Sequence, residues 1–305
     1  LTVAIRYDSA VGEIRISDNS FGMNASTIDR AMTVGEPPPN PIGRSRYGMG
    51  MKTAACWLGD YWTIRTTQLG DPREYTVVVD VEAVASGVVD LPITETPVAE
   101  TSHYTEIVVS RLNVSFKGRR IGKTKDFLAS MYRSDLREGR LQLTFQGDQL
   151  KWESAVGTFR KGHDGQELRR DVSITVARDP KPSGNGETAD SDGSAGSATV
   201  TGWVGVLENG SRSKAGFSMF HSNRMVRGFP DSWRPQEIFG QEQGTNNLVN
   251  QRVVGEFNLD AFPVTHTKDD ILWSDEEQER VEQAIRDEVA DLLIAAESLR
   301  TARSG

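Results

Sequence analysis

The residues whose types and spacing best suit phosphate binding lie in one glycine-rich stretch near position 50. Gly48 and Gly50 are separated by one residue, Lys52 and Thr53 follow, and an apolar helical run comes next. Glycine lets the backbone turn with a positive φ and lets its N–H groups approach a ligand closely. A helix that begins directly behind adds aligned N–H donors and the positive end of its dipole. The stretch predicts a phosphate-binding loop, but the same pattern also occurs in chains that bind no nucleotide.

A second feature lies upstream, where an alternating strand ends in an acidic residue. Residues 13–16 alternate between polar and apolar types, Asp18 follows, and a tight turn then carries Gly22 and Met23. A carboxylate at the end of a sheet accepts a hydrogen bond from an exocyclic amine such as that of adenine. The turn glycine lets the base lie close to the backbone. The alternative is an ordinary surface turn, in which Asp is common.

In this order, the two features resemble the Bergerat ATP-binding fold of the GHKL superfamily: gyrase B, MutL, heat-shock chaperones, sensor histidine kinases and MORC ATPases. The first family motif reads Asp-x-Gly-x-Gly-Met, and residues 18–23 are similar to it, with Ser20 in place of the first glycine. The resemblance implies that Asp18 recognises adenine and that Gly22 and Met23 line the base pocket. The second motif is a lid over the phosphates, and it is similar to Tyr47, Gly48, Met49, Gly50, Met51, Lys52 and Thr53.

Two further segments extend the resemblance, which covers most of residues 1–273 and is greatest for bacterial MORC-like ATPases. The family opens a late strand with Gly-Thr; here Tyr104 departs from the glycine, and Thr105 is implied to offer a hydroxyl to the adenine side. Residues 259–269 resemble the part of the second domain that carries a γ-phosphate-sensing lysine, and Lys268 is the matching position. An ammonium suits a terminal phosphate as a point charge. The alternative is a solvated lysine among acids.

The residues that hydrolyse ATP in that family have no counterpart in this sequence. The family carries them on a helix before the Asp motif: a Glu that activates water and, one turn on, an Asn that binds Mg²⁺. This chain runs from Leu1 to Asp18 without a Glu-x-x-x-Asn. Hydrolysis needs a base beside its water and a metal to organise the phosphates. We therefore expect a remainder of a longer protein that binds ATP without hydrolysing it, while the intact protein is an ATPase that uses ATP and Mg²⁺.

The elements that must position these residues predict an α/β fold in two domains and a final helix. Residues 1–116 predict a mixed sheet with helices on one face, the two-layer sandwich that the resemblance implies. Residues 117–273 predict a second α/β domain, which the resemblance identifies with a ribosomal-protein-like transducer, containing a flexible polar loop at about 179–198. Strands are predicted at 2–7, 12–17, 61–67, 75–81, 106–111, 141–146, 171–177, 198–207 and 214–220, with a helix at 125–133.

The C-terminal segment, residues 274–305, predicts a helix that a capping box opens at Ser274 and Glu277. Its apolar residues recur every three or four positions: Ile285, Val289, Leu292, Ala296 and Leu299. That spacing suits packing on the chain's own second domain. The alternative is a helical pair with a second copy.

Composition and charge limit the classes of protein to which this chain can belong. The chain has 305 residues, of which 37% are hydrophobic and 26% charged, as in ordinary globular domains. No apolar run approaches the length of about 20 residues that spans a bilayer, and the single Cys56 excludes an internal disulfide and suits a reducing compartment. We therefore expect a cytoplasmic protein without membrane association. A net charge of −8 argues against binding nucleic acid by bulk charge.

One basic segment, residues 111–125, nevertheless suits DNA phosphates, because it holds six cations and no acid. The alternatives are a solvated surface or a segment that faces the triphosphate. A P-loop at residues 118–124 is rejected, since three residues separate its glycines where four are required.

The function predicted overall is an ATP-binding module of a MORC-like ATPase that closes a homodimer on ATP binding, with DNA as a candidate partner. The alternative is a noncatalytic, nucleotide-gated protein-interaction module, which the departures at Ser20 and Tyr104 favour. A histidine kinase is disfavoured, because the sequence shows no phosphoacceptor helix with an exposed His.

Overall fold

Two β-sheets organise the chain, one in each of the units Leu1–Trp152 and Glu153–Gly305. The computed structural model describes residues 1–36, 48–88, 90–152, 157–178, 196–240, 247–265, 267–274 and 276–298. The predicted α/β fold class is confirmed. Tyr47 and Leu299 lie outside the described residues, as does most of the predicted loop at 179–198, whose last residues instead begin a strand.

The first unit contains eight strands and five helices among its described residues. The strands are β1 (Thr2–Asp8), β2 (Glu13–Asp18), β3 (Gly59–Thr67), β4 (Arg73–Asp80), β5 (Thr94–Pro97), β6 (Tyr104–Leu112), β7 (Gln142–Phe145) and β8 (Asp148–Gln149). The helices are α1 (Ala25–Met32), α2 (Gly50–Leu58), α3 (Val81–Ala85), α4 (Arg119–Met131) and α5 (Arg133–Arg137). The strand order is β5-β4-β3-β6-β2-β1-β7-β8.

Helices cover one face of this sheet because alternate strand residues are apolar. One row across four strands pairs Ile14 with Val109, Val109 with Trp62 and Trp62 with Val79, and all four side chains are buried. Buried residues of α1 and α2, Ile28 and Ala55, belong to the same core. The first unit is therefore a two-layer sandwich at this end.

Residues beyond 116 also belong to the first unit, because they form the other end of its sheet. Strand β7 pairs in parallel with β1, so that Leu143 lies opposite Val3 and Phe145 opposite Ile5. Helix α4 buries Ala129 in the core that these strands form. The sequence predicts a domain boundary at 116/117, whereas the compact unit ends at Trp152. The difference arises because β7 completes a hydrophobic core that β1 begins.

The second unit has a five-stranded sheet among its described residues, formed by β9 (Arg169–Ala177), β10 (Ser197–Val206), β11 (Gly216–His221), β12 (Arg224–Arg227) and β13 (Val253–Asn258). The strand order is β12-β11-β13-β10-β9, with β11 and β13 parallel. Its helices are α6 (Gln236–Phe239), α7 (Leu248–Arg252), α8 (Glu277–Glu288) and α9 (Ala290–Glu297). Phe217, Trp233 and Phe257 are fully buried and pack edge to face or tilted at the centre of this core.

The C-terminal helices pack within the chain. They bury the apolar residues that the sequence predicts at intervals of three or four positions. Ile285, Val289, Leu292 and Ala296 are buried in one core with strand residues of β9 and β10. The backbone N–H of Ser274 donates to Glu277 Oε2 at 3.3 Å, which is one half of the predicted capping box. The helix begins at Glu277 and is divided at Val289. Among the described residues, no helix is both long and apolar enough to cross a bilayer.

Candidate nucleotide-binding site

Four strands of the first sheet place one row of polar side chains at the end of the helix-covered face. Asp18 of β2 pairs with Thr105 of β6, Thr105 with Thr66 of β3, and Thr66 with Tyr75 of β4. The next row on the same face is apolar and consists of Ile16, Ile107, Ile64 and Val77. A polar row at the edge of an apolar layer suits a small ligand with an apolar body and a few polar groups.

The carboxylate of Asp18 is half-buried at the end of this row. Its Oδ1 accepts a hydrogen bond from the backbone N–H of Ser20 at 2.9 Å, and among the described residues Oδ2 has no hydrogen-bond partner. Burial raises the pKa of Asp18, and the hydrogen bond from Ser20 offsets part of that effect. The free oxygen is therefore a partly desolvated acceptor that a ligand N–H would satisfy.

The turn behind Asp18 packs its backbone directly on the neighbouring strands. Gly22 has a φ of +68°, and a Cβ there would lie 1.8 Å from the carbonyl oxygen of Thr67, so no other residue fits. The backbone N–H of Met23 donates to Thr66 Oγ1 at 2.9 Å, and the Met23 side chain packs against the apolar core. The sequence predicts Gly22 and Met23 at this site but not Thr66, whose only sequence signal is a hydroxyl on the apolar face of a strand.

A histidine holds the same turn from the other side. His103 Nδ1 lies 2.8 Å from the carbonyl oxygen of Ser20, and the ring nitrogen must carry the proton because a carbonyl oxygen only accepts. Ser20, which stands where the family has glycine, is thus held through its backbone by the segment that leads into β6.

Tyr104, the other departure from the family pattern, points away from the polar row. Its hydroxyl hydrogen bonds to Glu74, which also pairs with Arg65 at 2.9 Å, on the sheet face opposite Thr105. Burial and the Glu74 hydrogen bond raise the pKa of Tyr104 to about 12. Burial alone would raise the pKa of Glu74, but the hydrogen bonds from Tyr104 and Arg65 outweigh it and lower that pKa. The tyrosine therefore does not obstruct the site.

The predicted lid is described from Gly48 onward. Gly48 has a φ of +61°, and a Cβ there would lie 1.9 Å from the carbonyl oxygen of Glu36, so the glycine is required. Met49 caps α2, whose first residue is Gly50, and nothing lies within 4 Å of a Cβ built at Gly50. Met51 packs against the apolar core, and Thr53 is exposed.

Lys52 has a different set of contacts from the phosphate contact that the sequence predicts. Its Nζ donates to the carbonyl oxygens of Ala31 at 2.6 Å and Thr33 at 2.9 Å, and the residue is only 9% exposed. Burial lowers the pKa of Lys52, and the charge of Glu36 partly offsets it. A cation on the last carbonyls of a helix satisfies those acceptors and the helix dipole. The structure thus gives Lys52 the role of capping α1.

Lys268 lies in a turn of the second unit. It has a φ of +56°, and its backbone N–H donates to the carbonyl oxygen of Thr265 at 2.9 Å. The hydroxyls of Thr265 and Thr267 both donate to Asp269, at 2.7 and 2.6 Å. Among the predicted site residues of the first unit, the structure brings Asp18, Met23 and Thr105 together around Thr66.

Acidic partners neutralise part of the basic segment at residues 111–125. Arg111 pairs with Asp80 at 2.6 Å and Lys125 with Asp148 at 2.6 Å. The remaining exposed cations of the segment are Lys117, Arg119, Arg120 and Lys123. Within the described ranges, no three His, Cys, Asp or Glu side chains are grouped as a metal site, so no Mg²⁺ ligand is assigned.

Comparison with known families gives the class to which the first unit is similar. Residues 1–105 match the family model of histidine kinase-, DNA gyrase B-, and HSP90-like ATPases. The matched segment begins before β1 and ends at Thr105, and so contains every first-unit residue of the predicted site. The match supports a GHKL-type ATP-binding domain with the α/β sandwich described above. A search of curated proteins found no match to the chain.

Proposed function

We propose that this chain is the nucleotide-binding part of a MORC-like GHKL ATPase in which ATP binding drives closure of a homodimer. The observation that carries the proposal is the row from Asp18 to Thr105 beside the Gly22 turn, within a segment that matches the ATPase family. In this proposal the first unit binds ATP, and the second is the transducer that responds to it.

The base is bound at the polar row. Asp18 accepts a hydrogen bond from the exocyclic amine of adenine through its free oxygen, and Thr105 contributes its hydroxyl. Gly22 lets the base lie against the backbone, and Met23 supplies an apolar contact. These residues fit a purine because one edge of the site is polar and the adjoining layer is apolar.

The phosphates are bound by the lid, and Lys268 reports the γ-phosphate from the second unit. The backbone N–H groups from Gly48 to Met51 open a helix, and such groups bind anions with the help of the helix dipole. Lys52 acts indirectly in this proposal, because it fixes α1 against the start of α2. The Mg²⁺ that accompanies ATP in the family supplies charge neutralisation, and no described residue is assigned to hold it.

Hydrolysis belongs to the intact protein in this proposal, because none of the residues that the structure describes is placed as a base for the attacking water. Exposed Lys117, Arg119 and Lys123 make DNA a candidate partner of the closed dimer. The alternative, a nucleotide-gated interaction module without turnover, is favoured by the engagement of Lys52 with helix carbonyls. Turnover measured in the full-length protein separates the two.

The test is a calorimetric titration of ATP into the chain and into Asp18→Asn. Asp8→Asn is a matched control, because Asp8 also ends a strand and also accepts a hydrogen bond from the N–H two residues on. We expect ATP to bind the chain and the control, and binding to the Asp18 variant to weaken by about tenfold or more. Equal loss in both variants would contradict adenine recognition by Asp18.

A further inference from the structure

A turn in the second unit, residues 211–214, carries positive charge that no described acidic side chain neutralises. Arg212 and Lys214 of the turn are exposed. Arg234 contacts the backbone of the turn, and Arg252 contacts the segment that leads into it. Among the described residues, none of these cations forms an ion pair. Other arginines of the same unit do pair with acids, and these are Arg169, Arg170, Arg178, Arg227, Arg280 and Arg286.

Arg234 has all of its guanidinium donors satisfied, but only by neutral acceptors. Its Nε donates to Ser232 Oγ at 3.0 Å, and its Nη1 donates to the backbone and side-chain oxygens of Asn250 at 2.9 and 3.0 Å. Its Nη2 donates to the carbonyl oxygens of Arg212 and Ala215, both at 2.7 Å. Burial and the charge of Arg212 lower the pKa of Arg234, but a guanidinium stays charged in proteins. Two like charges therefore face each other across the turn, and a bound anion would relieve their repulsion.

The same contacts determine which backbone groups of the turn face outward. The carbonyl oxygen of Arg212 points at Arg234, and the peptide that it shares with Ser213 is trans. In a trans peptide the N–H points opposite to the C=O, so the Ser213 N–H points away from Arg234. Among the described residues this N–H has no acceptor. The Ser213 hydroxyl lies 3.1 Å from that of Ser211, and the N–H of Lys214 closes the turn onto the Ser211 carbonyl oxygen at 3.1 Å.

These groups suit a phosphate group, which accepts several hydrogen bonds at once from N–H groups, hydroxyls and cations. We propose that the turn at residues 211–214 binds a phosphate group, either as free phosphate or as part of a phosphodiester backbone. The Ser213 N–H and the Arg212 guanidinium donate to the phosphate oxygens, and Lys214 adds a point charge. Arg234 is a positioning residue, because it holds the Arg212 carbonyl inward. None of these residues is among those proposed to bind ATP.

The experiment adds sodium phosphate to the chain at constant ionic strength and follows the backbone amide resonance of Ser213 by NMR. Arg212→Gln and Lys214→Gln each remove one exposed charge from the turn. Arg286→Gln is the matched control, because it removes the same charge from the same unit, at a side chain that already pairs with Glu237 at 3.3 Å. We expect the Kd of phosphate to rise about tenfold in Arg212→Gln, by a smaller factor in Lys214→Gln, and to stay unchanged in the control.

A second titration, with a short single-stranded oligonucleotide, separates the two sources of phosphate. A Ser213 resonance that moves with phosphate alone assigns free phosphate, and one that moves with the oligonucleotide assigns a phosphodiester. Either result supports the site if Arg212→Gln weakens it. A Ser213 resonance that neither ligand moves, or an equal loss of affinity in Arg212→Gln and Arg286→Gln, would overturn the proposal. ATP binding is measured separately with Asp18→Asn, so the failure of one site leaves the other standing.

Discussion

At the scale of single residues, Asp18 is placed for binding at the expense of stability. Its folded-state pKa is raised by burial, so between the unfolded and folded pKa values the folded state holds more protons than the unfolded state. Stability contributed by this group is therefore lost as the pH rises through that window. A carboxylate kept in such a position is typical of functional sites.

Asp18→Asn is therefore predicted to stabilise the free chain at neutral pH while it weakens ATP binding. The amide oxygen still accepts from the Ser20 N–H, so the turn is retained, and the cost of desolvating a charge is removed. Urea unfolding between pH 4 and 8 measures the effect. In the unaltered chain the free energy of unfolding should decline as the pH rises, and in the variant part of that decline should be absent. A less stable variant at pH 7 would contradict this account.

Thr66 and Lys52 show why residue roles were only partly predictable. Asp18 and Gly22 could be found because a local motif carries them. Thr66 could not, because its role depends on partners from the turn and from β6 that only the sheet register brings to β3. Lys52 was predicted at a phosphate because its sequence neighbours are glycines, whereas the carbonyls it satisfies belong to a helix about 20 residues upstream.

At the scale of elements, ion pairs connect neighbouring strands on the face of the first sheet that lies opposite the helices. Glu106 pairs with Arg15 on one side and Arg65 on the other, and Arg65 continues to Glu74. Glu74 is the buried member of this chain of charges. Its lowered pKa means that the stability it contributes is present above its unfolded pKa and is lost as the pH falls through its folded pKa.

Glu74→Gln is predicted to destabilise the chain by about 2 kcal/mol at pH 7, a value reduced from that of a buried pair because Arg65 is half-exposed. The loss should shrink as the pH falls through the lowered folded-state pKa of Glu74, because below it the carboxyl is protonated in both the folded and the unfolded state. Glu95→Gln is the control, because Glu95 pairs with Arg73 only at 3.6 Å and at the surface. Denaturant unfolding at several pH values checks both variants, and an equal loss in the two would refute the distinction.

The C-terminal helices allow a second test at this scale. Ile285 of α8 is 1% exposed, whereas Ile294 of α9 is 67% exposed. Ile285→Ala is predicted to cost about 2–5 kcal/mol through lost burial and the cavity that remains. Ile294→Ala should change the stability by about 0.5 kcal/mol or less. A large effect at Ile294 together with loss of a dimer would instead favour helix pairing between two copies.

Local patterns sufficed to predict most elements but not how distant ones pair. The five strands predicted before residue 112 and the apolar seam from Ile285 to Ala296 all form, because alternation and helical spacing are visible in short windows. Strand β13 was missed because α7 ends directly at its first residue, Val253. The pairing of β1 with β7 has no local signal, since about 140 residues separate the two strands.

At the scale of the whole molecule, the cores of the two units are separate. Every described member of the first unit's cores lies before residue 153, and every described member of the second unit's cores lies after it. We predict that a fragment of residues 1–152 folds alone, whereas residues 1–116 do not, because Val3 and Ile5 lose the partners that β7 and α4 supply. Dispersed NMR spectra for the longer fragment alone are expected. A folded shorter fragment would restore the boundary at 116/117.

The parallel pairing of β1 with β7 also has a consequence for biosynthesis. When β1 leaves the ribosome it can form a hairpin with β2, but β7, its partner on the other edge in this structure, is made only when residues 142–145 emerge. At about 5–20 residues per second that wait is roughly 10–30 s. An unpaired strand edge is a template for wrong association, so the nascent chain should depend on a holding chaperone until β7 is made.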